Sequence, residues 1–241
     1  MPHKPANDQG RALSAALAKD QAHTLLDELS SLGTEEGRAA MARYGIVAEK
    51  SYGISVPVLR DLAKRVGRNH DLALALWDTG YQEARILATL VDEPDKVTSK
   101  QMDDWARDFE NWAVCDAACM NLFDRVEHAW DKVDEWSDHK DEFVKRGAFA
   151  LIASIAQHDK RASIDDKFIA ALELIEREST DERNFVKKAV NWALRAIGKR
   201  NATMRDRAME VSERLAASTN KTAKWVGKDA LKKLADDEGS V

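Results

Sequence analysis

The sequence contains little glycine, proline or cysteine. Its 11 Gly and 4 Pro make up roughly 6% of the chain against a usual ~12%, too few for the many turns of a β-sandwich or barrel. The only cysteines, Cys115 and Cys119, are four residues apart in a helical pattern, where both project from one face with poor disulfide geometry. We therefore expect an all-α protein whose two cysteines are reduced and lie in the core.

Long apolar runs are also missing. No stretch approaches the ~20 uncharged apolar residues that a membrane-spanning helix requires. Residues 1–10 are polar, which predicts a disordered N-terminal tail and not a signal peptide. No linker rich in Ser, Gly or Pro interrupts residues 11–234, so residues 11–241 are predicted to form a single domain. We expect a cytoplasmic monomer.

The residue spacings that bind metals are absent from the sequence. The six histidines are scattered along the chain. They form no HExxH motif, and the two cysteines form no CxxC pair. The sequence therefore predicts neither a metal site nor a cofactor.

Charge is distributed unevenly along the chain. The net charge is −5, yet residues 183–233 contain 14 Lys and Arg against four acids, a net of +10 that leaves −15 for the remainder. Such an imbalance is typical of a one-sided basic surface and indicates an anionic partner such as a phosphate backbone. The alternative is a basic face that is only solvated.

Helical periodicity dominates the chain after residue 11. Apolar residues recur at spacings of three and four, without the period-two alternation of half-buried strands. Ser55 before Pro57 indicates a helix start, and Gly198 indicates a helix end. The spacing predicts thirteen helices, at residues 12–32, 35–43, 56–66, 70–77, 81–91, 98–108, 112–126, 130–136, 140–156, 165–178, 181–199, 203–217 and 221–235.

Several of these helices share a charged residue embedded in a small or apolar face. The residues at this position are Arg85, Asp116, Arg146, Lys188 and Lys228, at steps of 31, 30, 42 and 40 residues. Such steps are close to the period of helix-pair solenoids, which present their inner helices as a concave surface. The sequence thus predicts an α-solenoid whose partner lies in a concave basic groove.

The predicted helix at residues 181–199 combines a tryptophan with cations. Lys188, Arg195 and Lys199 lie at offsets of −4, +3 and +7 from Trp192, so they project beside it. An indole flanked by three cations suits a phosphate-bearing partner with flat or cyclic groups. The alternative is a Trp packed against the aliphatic stems of long cations. Core or packing roles are expected for the other tryptophans, which are Trp77, Trp105, Trp130, Trp136 and Trp225.

A second cluster contains Trp112 and Asp116, which are four residues apart and share a helix face. The two cysteines flank that face, so the carboxylate stands at the margin of an apolar surface. A carboxylate in such a place must be paired, be functional or have a raised pKa. The structural alternative is a buried Asp that caps a neighbouring helix or pairs with an Arg of an inner helix.

Arg146 lies at the start of an unusually apolar helix, on a face that continues through Ala150 and Ala153. The small side chains would admit a bulky ligand. The guanidinium is able to hold a phosphate or to orient a carboxylate such as Asp116. A purely structural salt bridge is the alternative.

These motifs resemble those of the AlkD-like DNA alkylation repair proteins. The similarity runs from Tyr52-Gly-Ile-Ser-Val-Pro-Val-Leu-Arg60 to Trp225-Val-Gly-Lys-Asp-Ala-Leu231, with landmarks at Glu83-Ala-Arg-Ile-Leu-Ala88 and Asn184-Phe-Val-Lys-Lys-Ala-Val-Asn-Trp-Ala-Leu-Arg195. It implies an all-α fold, a HEAT-like right-handed α-solenoid of stacked helix pairs.

The resemblance also implies DNA glycosylase activity on N3- and N7-alkylated purines of double-stranded DNA, without base flipping. The family's Trp and Asp four residues apart are matched by Trp112 and Asp116, and its Arg is matched by Arg146. Trp192, in Asn-Trp-Ala-Leu-Arg, matches its second Trp. The resemblance therefore implies that these four residues are catalytic. DNA-phosphate contacts are expected from the cations Lys188, Arg195, Lys199, Lys228 and Arg85.

The competing class is a non-catalytic HEAT-repeat protein, either a structure-selective DNA binder or a protein-interaction scaffold. Salt-sensitive DNA affinity without product would indicate the binder. A scaffold would show neither property. The basic imbalance disfavours the scaffold, and the set of Trp112, Asp116 and Trp192 disfavours the pure binder.

Overall fold

The computed structural model describes residues 6–236 of the protein. Contacts between Cα atoms divide the chain into two compact units, Met1–Gln101 and Met102–Val241. Within residues 6–236 every regular element is a helix and no strand is present. The all-α prediction is therefore confirmed, whereas the single domain at residues 11–241 stays a prediction.

The first unit begins with a long helix that starts at Ala6, inside the stretch expected as a tail, while residues 1–5 lie outside the described residues. In this unit α1 packs on α4, and α5 packs on both α3 and α4. The helices are α1 (Ala6–Leu32), α2 (Glu35–Arg43), α3 (Val56–Val66), α4 (His70–Asp78) and α5 (Gln82–Val91), followed by a 3₁₀ turn at Pro94–Lys96 and by α6 (Ser99–Arg107), which contains the unit boundary.

Glu83 organises the segment that leads into α3. Its carboxylate is fully buried and accepts hydrogen bonds from the backbone N–H groups of Tyr52, Gly53 and Ile54 at 3.0, 2.8 and 3.2 Å. The Ser51 hydroxyl also donates to it, at 2.8 Å. A buried carboxylate is stable where several donors satisfy it. Tyr52 and Glu83, which belong to two of the segments that resemble the family, are thus joined by a hydrogen bond in this unit.

The second unit is built from helices that alternate between two layers. One layer contains α7, α9, α11 and α13, and each of these packs on the next; α10 packs on α12 in the other layer. The helices are α7 (Trp112–Asn121), α8 (Ala129–Trp136), α9 (Glu142–His158), α10 (Asp165–Glu178), α11 (Asn184–Gly198), α12 (Ala202–Ala217) and α13 (Lys221–Asp236), with 3₁₀ turns at Phe123–Arg125 and Ala162–Ile164.

The thirteen predicted helices correspond to the thirteen α-helices of the described residues. The largest difference is at α1, which begins at Ala6, six residues before the predicted start. Another difference is at residues 112–126. There Leu122 leaves the helical conformation (φ −139°, ψ −62°), so α7 ends at Asn121. A third difference is at α11, which begins at Asn184 because Asp181 is engaged in ion pairs with Arg183 and Lys145 before the helix starts.

Side-chain caps determine where the helices of the second unit begin. Oδ1 of Asn111 accepts from the N–H groups of Ala113 and Val114, at 3.0 and 3.3 Å, so Trp112 is the first residue of α7. Asp141 and Asn201 cap α9 and α12 in the same way. Such caps satisfy the N–H groups that a helix leaves unpaired at its start.

The two cysteines join α7 to α9. Sγ of Cys115 donates to the carbonyl oxygen of Phe143 at 3.4 Å, and Sγ of Cys119 donates to that of Gly147 at 3.5 Å. Both side chains are free thiols with no exposed surface, as the sequence predicted. Burial raises the pKa of the Cys119 thiol well above its ordinary value. The two contacts fix the register between α7 and α9.

A glycine determines how closely α13 approaches α12. A Cβ at Gly227 would lie 2.3 Å from the backbone N of Ala216 and 2.5 Å from the backbone O of Ser212. Backbone atoms in a packed helix cannot move away at low cost. The close approach of these two helices therefore requires glycine at position 227.

We expect Gly227→Ala to lower the free energy of unfolding by about 1–3 kcal/mol, the usual cost of overpacking. Gly10→Ala is the matched control, since a Cβ at this helical glycine meets nothing within 4 Å. Thermal unfolding of both variants is the measurement. Equal melting temperatures for Gly227→Ala and the unmodified protein would contradict the close packing.

Candidate functional site

The structure brings Asp116 of α7 and Arg146 of α9 into direct contact. Nε of Arg146 donates to Oδ1 of Asp116 at 2.8 Å, and Nη2 donates to Oδ2 at 2.7 Å. The side chain of Asp116 is 16% exposed and that of Arg146 is 8% exposed. A bidentate arrangement holds both planar groups in one orientation. The two hydrogen bonds thus fix the orientation of the carboxylate, and a small part of the Asp116 side chain remains exposed.

Arg146 also reaches a third helix. Its Nη1 donates to the backbone oxygen of Phe185 in α11, at 2.7 Å. The rings of Phe143 and Phe185 pack beside this contact, with their centroids 5.3 Å apart. One guanidinium therefore joins α7, α9 and α11, and the position of Asp116 depends on the packing of all three.

The surroundings of the pair shift the pKa values of both Asp116 and Arg146. Burial raises the pKa of the Asp116 carboxyl above its ordinary value, and the charge and hydrogen bonds of Arg146 oppose that rise. Burial lowers the pKa of the Arg146 guanidinium, but Asp116 outweighs this effect and the pKa is raised. The guanidinium thus partly offsets the effect of burial on the pKa of Asp116.

Lys145, next to Arg146, supports the same region. Its ammonium, 7% exposed, lies 2.6 Å from Glu178 and 3.0 Å from Asp181. Burial raises the pKa of Asp181, but hydrogen bonds from Arg183 and Lys145 outweigh burial and lower the pKa to about 2. These ion pairs hold α9 against the segment that leads into α11.

Trp192 lines a cavity of about 420 Å³ with Arg195, Lys199, Gln157 and Lys160. Three cations and one indole thus surround the cavity. Trp192 lies seven residues after Phe185 in α11, so it is about 10 Å along the helix axis from the point where Arg146 contacts that helix. The structure brings together the predicted residues Trp192, Arg195 and Lys199 at one place and Asp116 with Arg146 at another.

Arg195 contains a polar atom that the protein does not satisfy. Its Nε is buried and, among the described residues, has no hydrogen-bond partner. A buried donor without an acceptor costs free energy. The same side chain lines the cavity of Trp192.

The other predicted residues differ in exposure. Trp112 is partly buried at the start of α7, one helical turn before Asp116. Lys188 is exposed, with Nζ 6.0 Å from the centroid of the Phe185 ring, and Lys228 is exposed on α13. Arg85 is only 9% exposed in the first unit, and its guanidinium lies 5.5 Å from the ring centroid of Trp77. That position favours a packing role for Arg85 over a phosphate contact.

The remaining tryptophans fall into two groups. Trp77, Trp105 and Trp136 are 2–3% exposed, which confirms their predicted packing roles. Trp130 is partly buried and its ring packs edge-on against that of Phe168, which agrees with a packing role. Trp225 is 40% exposed, so a core position is wrong for it, while a helix-packing role stays a prediction. Its neighbours in α13 explain the error, because Val226 and Ala230 fill the buried face and Trp225 lies outside it.

Two groups at the site were not predicted from the sequence. Lys160 reaches the cavity of Trp192 from just beyond the end of α9, and the backbone oxygen of Phe185 accepts from Arg146. A lysine in a connecting segment has no periodicity, and a backbone oxygen leaves no sequence signal. Both follow only from the packing of α9 on α11.

Within residues 6–236, two kinds of feature are absent. No group of three or more His, Cys, Asp or Glu side chains is arranged to hold a metal ion. In the same residues, no helix combines the length and the apolar character needed to cross a bilayer.

The fold is similar to that of a solved structure described as a new family of proteins related to the HEAT-like repeat DNA glycosylases with affinity for branched DNA structures. The TM-score is 0.72 at 19% sequence identity, and the match covers 86% of this chain and 92% of that chain. No curated protein matches the sequence. The architecture is thus that of a HEAT-like repeat protein, as predicted.

A family model described as DNA alkylation repair enzyme matches residues 25–234. This chain therefore belongs to the DNA alkylation repair enzyme family. The resemblance drawn from Trp112, Asp116, Arg146 and Trp192 is confirmed at the level of the family, while the roles of these residues remain predictions.

The Asp116–Arg146 contact predicts strong energetic coupling. Arg146→Gln should lower the free energy of unfolding by about 3–5 kcal/mol, because it leaves a buried carboxylate without its counter-charge. The double variant Asp116→Asn, Arg146→Gln should lose less than the single Arg146 variant, since no unpaired charge remains. Urea denaturation of the single and double variants gives the coupling. Additive losses would show that the two residues do not act as a unit.

Proposed function

We propose that the protein is a DNA glycosylase that hydrolyses the N-glycosidic bond of cationic N3- and N7-alkylated purines in duplex DNA. The observation that carries the proposal is the Asp116 carboxylate, which Arg146 fixes by two hydrogen bonds and whose side chain is 16% exposed. The chain's membership in the DNA alkylation repair enzyme family supports the same reaction class.

The leaving group explains why a single carboxylate suffices. An N3- or N7-alkylpurine already carries positive charge, so the base departs as a neutral molecule with the electron pair of the glycosidic bond. Positive charge then develops on the deoxyribose, which becomes similar to an oxocarbenium ion. Asp116 stabilises this charge electrostatically. It also orients the water that attacks the anomeric carbon and accepts the proton which that water loses.

The aromatic and basic residues hold the substrate around this reaction. Trp112, one turn before Asp116, presents an indole to the sugar and excludes water from it. Trp192 and the cations around its cavity contact the DNA backbone, whose phosphate satisfies Nε of Arg195. Because the lesion itself supplies the good leaving group, the base is excised without being flipped into a deep pocket. The protein acts as a monomer, without a cofactor.

Asp116→Asn should reduce the release of 7-methylguanine or 3-methyladenine from methylated duplex DNA by roughly 10²- to 10³-fold, the usual cost of removing a transition-state electrostatic contact. DNA affinity should barely change. Chromatography of the released bases and an assay of abasic sites measure the loss.

Asp165→Asn is the matched control for this experiment. Asp165 is also an arginine-paired aspartate of the second unit, but its partner is Arg200, outside the site. It should release bases at the rate of the unmodified protein. Undiminished release by Asp116→Asn would reject the catalytic assignment.

Lys188→Ala and Arg195→Ala should each weaken binding to any duplex. Each should also reduce the slope of log K against log[salt] by about 0.9, the value for one phosphate contact. Fluorescence anisotropy across a salt series measures both quantities. Arg207→Ala, which removes an exposed cation from α12, serves as the control. A slope that neither variant changes would refute the phosphate contacts.

The second candidate is a structure-selective DNA-binding protein without glycosylase activity. The similar structure described as having affinity for branched DNA structures favours it. In such a protein, the Asp116–Arg146 pair would serve only to join α7 to α9. Salt-dependent DNA affinity without released base or abasic sites would identify this function.

A further inference from the structure

The last helix presents a continuous stripe of exposed residues, composed of Lys221, Trp225, Lys228 and Lys232. Their spacing of four, three and four residues places all four on one side of α13. The opposite side of the helix is buried and contains Ala223, Val226, Gly227, Ala230 and Leu234. We refer to the four exposed residues as the α13 stripe.

Trp225 is the unusual member of this stripe. An indole is a poor choice for a solvent-exposed position, yet 40% of Trp225 is exposed in the middle of three lysines. Nζ of Lys187 in α11 lies 5.4 Å from the centroid of its ring. A cation over one ring face stabilises the orientation of the indole. The exposed part of the ring remains open to a second planar group.

The stripe lies on a firmly packed helix. Gly227 allows α13 to approach the backbone of α12, and Nδ2 of Asn191 in α11 donates to the backbone oxygen of Val226 at 3.1 Å. The N–H groups at the start of α13 donate to Oδ1 of Asn220. These contacts hold Trp225 and the lysines in place before any partner arrives, which lowers the entropic cost of binding.

The α13 stripe also lies beside a lysine of α11. Lys187, which lies over Trp225, is adjacent in sequence to the exposed Lys188. Lys187 thus adds a fourth cation beside Trp225. From Lys221 to Lys232 the stripe spans about 16 Å of helix axis, enough for several phosphates.

We infer that the α13 stripe binds single-stranded DNA that extends from a duplex. Trp225 stacks on an unpaired base, and Lys221, Lys228 and Lys232 contact the phosphates beside it. In a duplex, neighbouring bases cover both faces of every internal base. An indole on the protein surface therefore stacks only on a base that has no neighbour on one of its faces. The inference rests on the proposed DNA-binding function and adds a substrate preference, for duplexes that adjoin a single strand.

The test compares two DNA ligands of equal length, a perfect duplex and a duplex with a single-stranded arm that carries 2-aminopurine at successive positions. The unmodified protein should bind the armed duplex more tightly and quench 2-aminopurine at one or two positions of the arm. Trp225→Leu should abolish the quenching and weaken binding to the armed duplex on the order of 10-fold to 100-fold, the range for one base–aromatic stack. Its affinity for the perfect duplex should change by less than about twofold.

Two further variants control this experiment. Trp225→Phe keeps an aromatic ring and should retain most of the preference for the armed duplex. Lys233→Ala removes a cation from another side of α13 and should weaken binding to the armed duplex less than Lys228→Ala does. Circular dichroism of every variant confirms that it is folded.

The outcomes separate this inference from the proposed function. If the unmodified protein binds neither ligand, the proposed DNA-binding function fails and the inference fails with it. If both ligands bind but Trp225→Leu changes neither the quenching nor the preference, only the inference is overturned. An equal loss of affinity for both ligands would also overturn it, because it would show that Trp225 contacts duplex DNA.

Discussion

The second unit depends on one guanidinium that satisfies partners from two other helices. Arg146 contacts the carboxylate of Asp116 in α7 and the backbone oxygen of Phe185 in α11, while its own helix, α9, is buried on nearly all sides. A buried charge is tolerated only where it is paired and its hydrogen bonds are satisfied. The stacking of α7, α9 and α11 is therefore constrained by the same contact that orients the candidate catalytic group.

This constraint couples structure and chemistry in the proposed enzyme. A carboxylate that stabilises a cationic transition state must hold its orientation before the reaction begins. Arg146 provides that orientation, and its positive charge also partly neutralises the Asp116 carboxylate. The negative charge that remains acts on the exposed side of the pair. The lesion compensates for this modest catalytic apparatus, because a cationic base leaves easily.

The helices were predictable because apolar spacing repeats wherever one side of a helix faces a core, and α9 and α11 follow that rule. The sequence offered Arg146 as a residue that either holds a phosphate or orients Asp116, and the packing of α7 on α9 selects the contact with Asp116. Trp225 was not distinguished from the core tryptophans, because tryptophan is most often buried, whereas its place on the helix puts it outside the core. Lys160 lies in a connecting segment without helical periodicity, so its place at the cavity of Trp192 could not be predicted.

The burial of Cys115 and Cys119 has a chemical consequence for a member of a DNA alkylation repair family. Thiolates are the side chains that electrophiles attack most readily, and reactivity requires both ionisation and access. The chain's two cysteines have no exposed surface, and burial holds Cys119 in its neutral thiol form. Methylating agents, which alkylate thiolates as well as DNA bases, therefore find neither of the two sulfhydryl groups accessible.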